Sequence, residues 1–391
     1  MKTILSLLFS LAVAVACAQS NNGVHFNHGT WKEVKQLAKE QNKSIFIDCY
    51  TSWCGPCKML SKNVFPQAAV GELFNAHFIN YKVDMEKDEG PLLKKQFNVS
   101  AYPTLIWVDS DGNELHKSVG APNADELISI AQQVIDGKGL AALERNYTTH
   151  PNDFSVMLSY IEGLSNAYEQ QKIQVVLANY FKSVKGSELL EEKNYSLIKN
   201  YLEDIYSPAF EWFHKHQADF KKRYAAEEVE QKLYRTYLSY GHSLVRKDKI
   251  DYKGYKQYCK ILKKRKVNNR EKIVAYIDES ICRAEQNWDA YIQKVNENMK
   301  LGYHESTNSF LYYNWAKAID NSNQAQSKHY MQAAQWMEKA FEVSQWPLAN
   351  NIVYLEEKLK ILVKADNTRD KIKQLEERIT TLRNQVKIDT H

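Results

Sequence analysis

Of the eight prolines in this 391-residue chain, only Pro151, Pro208 and Pro347 lie beyond residue 139, and none falls between Ala209 and Trp346. A proline inside a helix removes a backbone donor and clashes with the preceding turn. A long proline-free stretch rich in Lys, Glu, Gln, Ala and Leu is therefore hard to build as anything but helices. Before residue 139 the pattern differs, with short apolar runs punctuated by Gly and Pro, as strands and turns require. Charge changes at the same place. Residues 19–138 carry 12 Lys, no Arg and 14 acids, net −2, whereas the chain from Gly139 onward carries 39 basic and 33 acidic residues, net +6, with 21 of the 24 tyrosines. These shifts predict an α/β domain over 19–138 and an all-α domain over 139–391, with a boundary near Gly137-Lys138-Gly139.

The first residues read as an export signal over 1–18: Lys2, an apolar run from Ile4 to Val15, then the small-x-small site Ala16-Cys17-Ala18. Cleavage after Ala18 competes with lipidation at Cys17, and Ala14, where a bulkier aliphatic is expected before a lipidated Cys, favours cleavage. The expectation is a periplasmic or secreted protein with no transmembrane helix after signal removal, since no later apolar run approaches the ~20 residues a bilayer needs. A net charge of +5 spread over the whole chain excludes a dedicated nucleic-acid binder. Cleavage would leave Cys49, Cys54, Cys57, Cys259 and Cys282, an odd number in an oxidising compartment, so at least one thiol stays unpaired unless pairing is intermolecular.

Within 19–138, Thr30-Trp31-Lys32-Glu33 fits a helix capping box, with Trp31, Val34, Leu37 and Ala38 on one apolar stripe. Strands follow at Ser44 to Tyr50, Phe78 to Val83, Tyr102 to Val108 and His116 to Val119, with a turn over Asp109 to Asn113. Helical segments fall after Cys57 (interrupted at Phe65-Pro66), over Pro91 to Phe97, and over Ala124 to Ile135. The predicted order is helix, strand, helix, strand, helix, strand, strand, helix.

The strand from Ser44 runs into Trp53-Cys54-Gly55-Pro56-Cys57-Lys58. A cysteine delivered by a strand to a helix N-terminus has backbone donors and the positive dipole end aimed at its sulfur, which favours thiolate and can bring such a pKa to about 7. Cys54 is the candidate nucleophile. A second thiol one helical turn on can attack the resulting mixed disulfide and release the substrate, so Cys57 is the candidate resolving residue.

At these residues the chain resembles the thioredoxin superfamily, in particular secreted bacterial thioredoxin-like proteins. The resemblance covers about residues 24–136. It rests on Asp48 six residues before the first Cys, the Trp-Cys-Gly-Pro-Cys-Lys motif, Lys82 in the next strand, Tyr102-Pro103-Thr104, and Gly112 and Gly120 bracketing the last hairpin. It implies a central mixed sheet flanked by helices, and thiol-disulfide exchange with protein or peptide thiols and disulfides, without a cofactor. It also implies that Pro103 is cis and aligns a substrate through the backbone of Tyr102, with Trp53, Gly55 and Pro56 lining the contact surface. Asp48 would be a buried carboxylate exchanging a proton with Cys57, and Lys82 its charge partner. Gly55-Pro56 resembles reducing members, and a periplasmic reductase would need a membrane electron donor; isomerase or oxidase is the alternative direction. Cys49, Tyr50, Tyr102 and the Phe65-Pro66 interruption depart from small cytosolic members and bear on substrate preference. A zinc site would need a second Cys or His pair, which this region lacks, so no metal is expected.

The all-α region shows no exact repeat. Paired helices such as Asp153 to Tyr168 with Ile173 to Val184, and Phe310 to Ala318 with Gln326 to Val343, have helical-repeat-like lengths. Ile352 to Val386 reads as one long helix with room for a break at Ala365-Asp366-Asn367. Tyr252 to Arg265 and Asn269 to Lys300 read as an antiparallel hairpin that sets Cys259 level with Tyr276, leaving Cys282 about 9 Å away along the axis, beyond disulfide reach. Both cysteines are expected free. The surplus lysines, Lys260 and Lys263 to Lys266 among them, read as a solvated face or an acidic-partner dock. A rival role for the whole chain is an adapter or chaperone-like protein whose helical domain captures partners, with the redox site secondary.

Overall fold

The computed structural model describes residues 23–246, 249–365 and 368–389. The expected signal segment lies outside the described residues. Contacts divide the chain into two compact units, one ending at Val184 and one beginning at Lys185.

The first unit is built on a five-stranded mixed sheet in the order β1 (Phe26–Asn27), β3 (Phe78–Asp84), β2 (Ser44–Tyr50), β4 (Thr104–Val108), β5 (Glu114–Val119). β3 runs parallel to both β1 and β2, while β4 is antiparallel to both β2 and β5. Helices α1 (Trp31–Gln41), α2 (Gly55–Met59), α3 (Ala68–His77), α4 (Gly90–Gln96) and α5 (Ala124–Ile135) complete the thioredoxin fold. The element order read from the sequence holds, and the two-residue β1 is the addition. The capping box at the start of α1 is present, with Thr30 and Glu33 each bonding the other's backbone. Between α2 and α3 the chain makes one π turn, Leu60–Val64, which places the interruption expected at Phe65-Pro66.

Strand alternation sorts β2 onto two cores. Ile45, Ile47 and Cys49 join Trp31, Val34 and Ala38 of α1 on one face. Phe46 joins Phe74 of α3 and Leu127 and Ala131 of α5 on the other. Gly112, at φ +97°, allows the turn into β5, where the Asp109 carboxylate accepts the backbone N–H groups of Asp111, Gly112 and Asn113.

The compositional break at Lys138 and the contact boundary at Val184 do not coincide, for a packing reason. Helices α6 (Leu140–Thr149), α7 (Phe154–Asn166) and α8 (Gln170–Phe181) belong to the first unit. A Cβ at Gly139 would lie 2.6 Å from the Leu115 carbonyl oxygen of β5, so this glycine is a close approach and not a loose linker. The Leu140 N–H donates to His116 Nδ1 at 3.1 Å, and buried Lys117 of β5 pairs with Glu169 just ahead of α8.

The second unit is helical, with one exception among its described residues: Val245–Arg246 and Lys249–Ile250 pair as a short antiparallel hairpin. β-Branched Val245 and Ile250 face each other, and the Asp251 N–H closes the turn on Leu244 O at 2.9 Å. The segment read as one helix from Asn269 to Lys300 is two, Arg270–Ala284 and Trp288–Lys300, because Gln286 takes φ +54° and Asn287 caps the second. The level expected between the hairpin's arms holds: Tyr255 Oη donates to Asp278 Oδ1 at 2.7 Å, and Cys259 and Cys282 are both free. The C-terminal segment divides into Leu348–Val363 and Arg369–Asp389, on either side of the anticipated break. Trp315, Ala333, Met337, Ala340 and Leu355 share one core.

Candidate active site

Cys54 leaves β2 through a turn in which its N–H donates to Thr51 O at 3.1 Å, and it becomes the N-cap of α2. Pro56 occupies the first turn, where its missing N–H costs nothing. The Cys54 sulfur accepts the Cys57 N–H at 3.1 Å, and the two cysteines are joined in a disulfide. Both residues are buried, while the intervening Gly55 and Pro56 are exposed. Trp53 stands out into solvent, 64% exposed, with its indole N–H donating to Glu86 Oε2 at 3.0 Å.

The Tyr102-Pro103 peptide is cis. The Tyr102 ring meets the edge of Trp53, centroids 5.9 Å apart, which sets this segment beside the motif. Lys94 lies over the other ring partner, Tyr102, at 5.3 Å. The Thr104 hydroxyl donates to Ala101 O at 2.8 Å, and Gly120 N–H donates to Pro103 O at 3.0 Å, so both flanks of Pro103 are tied down.

On β2, Asp48 is fully buried on the face opposite Cys49. The β2–β3 register sets Asp48 directly across from Lys82, and the two form an ion pair through Asp48 Oδ2. Oδ1 has no hydrogen-bond partner among the described residues. Burial raises the Asp48 carboxyl above its ordinary value, and the Lys82 charge and hydrogen bond pull it part of the way back. Burial likewise pushes the Cys49 thiol well up, aided by the Asp48 charge, which makes Cys49 a poor nucleophile.

Of the residues singled out from sequence, Trp53, Cys54, Gly55, Pro56 and Cys57 share one turn, the Tyr102 ring meets Trp53, and Asp48 pairs with Lys82, which bonds Ser61 one turn past Cys57. Sequence reasoning missed Glu86, which fixes Trp53, and Ser61, whose hydroxyl accepts from Lys82 Nζ at 2.9 Å. Ser61 lies one turn past Cys57, a helical spacing that could have suggested it. A reducible disulfide at a helix N-terminus can carry dithiol-disulfide exchange.

A family model described as a thioredoxin-like domain matches residues 31–135. A thioredoxin of Chlamydia trachomatis is 41% identical over 86 residues, covering 22% of this chain and 78% of that protein. A thiol:disulfide interchange protein DsbD of Actinobacillus pleuropneumoniae is 33% identical over 119 residues, 28% of this chain and 20% of that protein. A solution structure from Bacteroides thetaiotaomicron, of a candidate disulphide-isomerase, shares 43% identity and covers 30% of this chain and 97% of its own, with a TM-score of 0.28. Because the match takes in most of the length of a relative above 30% identity and coincides with the Cys54–Cys57 disulfide, the chain belongs to the thioredoxin superfamily of thiol-disulfide oxidoreductases.

Proposed function

We propose that this protein is exported and reduces disulfides in protein or peptide substrates, with Cys54 attacking and Cys57 resolving. One observation carries the reading: the Cys54 sulfur sits at the start of α2, accepting the Cys57 N–H, in a disulfide flanked by exposed Gly55, Pro56 and Trp53. In the reduced protein the same donor and the helix dipole favour the Cys54 thiolate. That thiolate attacks a substrate disulfide, one substrate sulfur leaves as thiolate, and Cys54 is left in a mixed disulfide. Cys57 then attacks Cys54, expelling the second substrate sulfur and restoring the Cys54–Cys57 bond. The Cys57 proton is taken by Asp48, whose raised affinity for protons and open Oδ1 suit it to accept one. Lys82 stabilises the carboxylate before transfer. The Tyr102-Pro103 backbone and the Trp53 ring align an extended substrate. Lining the other side of the reaction, a membrane electron donor regenerates the dithiol, as reduction in an oxidising compartment requires.

The reducing direction draws support from Gly55-Pro56 and from the likeness to thioredoxins. It is tested by equilibrating the purified protein with glutathione. A potential near −270 mV supports a reductase, and one near −120 mV makes the protein an oxidant instead. In the same preparation Cys57→Ala should trap client proteins as mixed disulfides, and sustained multiple turnover by that variant would remove Cys57 from the resolving role.

A further inference from the structure

Lys82 is a long side chain on a strand, and its ammonium would ordinarily turn to water. Here it is only 22% exposed and is enclosed on several sides. The Tyr50 ring centroid lies 4.5 Å from Nζ, Phe65 at 5.3 Å and Phe26 at 5.4 Å. Of the three N–H groups of the ammonium, one serves Asp48 Oδ2 and one serves Ser61 Oγ at 2.9 Å, which leaves the third for ring faces and water.

Two of these rings, Phe26 and Phe65, come from parts of the chain that the exchange chemistry does not otherwise use. Phe26 belongs to β1, and Phe65 ends the π turn. The two rings meet edge to face at 5.1 Å. Their backbones are joined by Val24 N–H donating to Phe65 O at 2.8 Å, and a Cβ at Gly23 would fall 2.8 Å from that same oxygen. The N-terminal segment and the π turn are therefore closed together on the side of the sheet where Lys82 reaches Asp48.

We propose that Ser61 and the aromatic enclosure of Phe26, Tyr50 and Phe65 are positioning groups that hold the Lys82 ammonium on Asp48, and that β1 and the π turn are the elements this chain uses to build the enclosure. The inference deepens the proposed function, since it concerns how the proton acceptor of Cys57 is tuned. An enclosed ammonium loses little freedom when it pairs with Asp48, and quadrupole attraction from the rings offsets part of its desolvation. Freed from Ser61 or from a ring, Lys82 spends part of its time in water, and the Asp48 charge loses compensation. The other titratable groups coupled to the pair are the Cys49 thiol and the Tyr50 phenol of β2, both raised by burial, with Asp84 and Lys87 acting on Tyr50. Cys57 joins them once the disulfide is reduced.

The test follows the Asp48 carboxyl by 13C NMR titration in the reduced full-length protein, alongside the pH profile of mixed-disulfide resolution. Ser61→Ala and Phe26→Leu should each move the Asp48 titration upward by about half a pH unit. Ser61→Thr, which keeps the hydroxyl, should restore it. In a Lys82→Gln background neither change should move it further, because the group they position is gone. The proposal is overturned if Lys82→Gln shifts Asp48 while Ser61→Ala and Phe26→Leu do not, or if they shift it equally without Lys82. If instead the Asp48 titration responds as described but the resolution profile ignores Asp48→Asn and Lys82→Gln, the positioning stands and the assigned proton acceptor falls.

Discussion

Two buried aspartates, one in each unit, show how the proposed exchange site differs from a structural ion pair. Asp48 in the sheet unit has one lysine on one oxygen and nothing on the other, and its carboxyl is raised above the ordinary value by burial that Lys82 only partly offsets. Asp320 in the helical unit is nearly as enclosed, but Lys317 reaches Oδ2 at 2.5 Å and Lys364 reaches Oδ1 at 2.6 Å. Burial would raise Asp320 too, yet these two hydrogen-bonded lysines hold it below the ordinary value. The same residue type thus titrates in opposite directions according to how completely its acceptors are filled. The contrast extends to the surroundings. Thr51 Oγ1 and Tyr102 Oη, on either side of the redox motif, are also buried without partners, whereas Glu279 in the helical unit accepts from Asn298 and pairs with His304. Unfilled polar atoms are not confined to the motif, since Asn80 Oδ1, and His214 Nδ1 and Asn351 Oδ1 in the helical unit, are also buried without partners among the described residues; what sets Asp48 apart is that its unfilled atom belongs to a carboxylate.

The largest effect should come from breaking the filled site. Asp320→Ala leaves Lys364 without its carboxylate and Lys317 with Glu357 alone, and should cost about 3 kcal/mol in urea unfolding at pH 7. Because the folded carboxyl is depressed from 3.8, its contribution is present above that value and fades as pH falls below it. The gap between variant and parent should therefore narrow as pH falls below 3.8. Equal loss at every pH would mean that packing, not charge, sets the value of Asp320.

How much of this was legible in the sequence depended on range. The redox turn could be read because Trp53 to Lys58 are contiguous and because a period-2 strand carries Asp48 to its start. Lys82 could be placed in the next strand, but its pairing with Asp48 depends on a parallel register that only the fold supplies. Phe26 was beyond reach, since a two-residue strand has no period, and its partner Asn80 lies far along the chain. The break at Gln286 was masked because a helical pattern runs on through Glu285 and Trp288, although Asn287 was a visible cap. Composition marked a change of pattern at Lys138, yet it carries no information on what the next helices cover. Gly139, read in the sequence as part of a domain boundary, is a position where a Cβ would collide with the Leu115 carbonyl.

That junction gives an intermediate effect within the sheet unit. His116 is buried at the end of the sheet and accepts the Leu140 N–H through Nδ1, which only the unprotonated nitrogen can do. Burial lowers its pKa from 6.5 to about 4. A depressed histidine contributes stability that is present above its unfolded value and is lost as pH falls toward its folded one. Lowering pH from 7 to 5 should therefore remove about 2 kcal/mol through this residue. His116→Gln, which can still accept from Leu140, should flatten that part of the profile. A parent protein equally stable at both values, with an exchange-protected Leu140 amide, would show that His116 is not what fastens α6 to β5.

The smallest stability change, and the one that most sharpens the contrast, belongs to Asp48→Asn. The folded carboxyl is raised, so the sign is opposite to that of Asp320: stability is fully present below 3.8 and is lost as pH rises through the folded value. An amide at this position imitates the protonated acid and carries no charge to desolvate, while Lys82 keeps Ser61 and the rings. Asp48→Asn should therefore raise stability at pH 8, where the parent carries the cost of the ionised form. The gain should shrink steadily toward pH 4, which is the reverse of the Asp320→Ala profile. The same variant should slow mixed-disulfide resolution, because Cys57 loses its proton acceptor. Stabilisation joined to a slower reaction is what a buried charge kept for chemistry entails. If Asp48→Asn destabilises the protein at pH 8 as Asp320→Ala does, both aspartates are structural and the open Oδ1 has no part in the exchange.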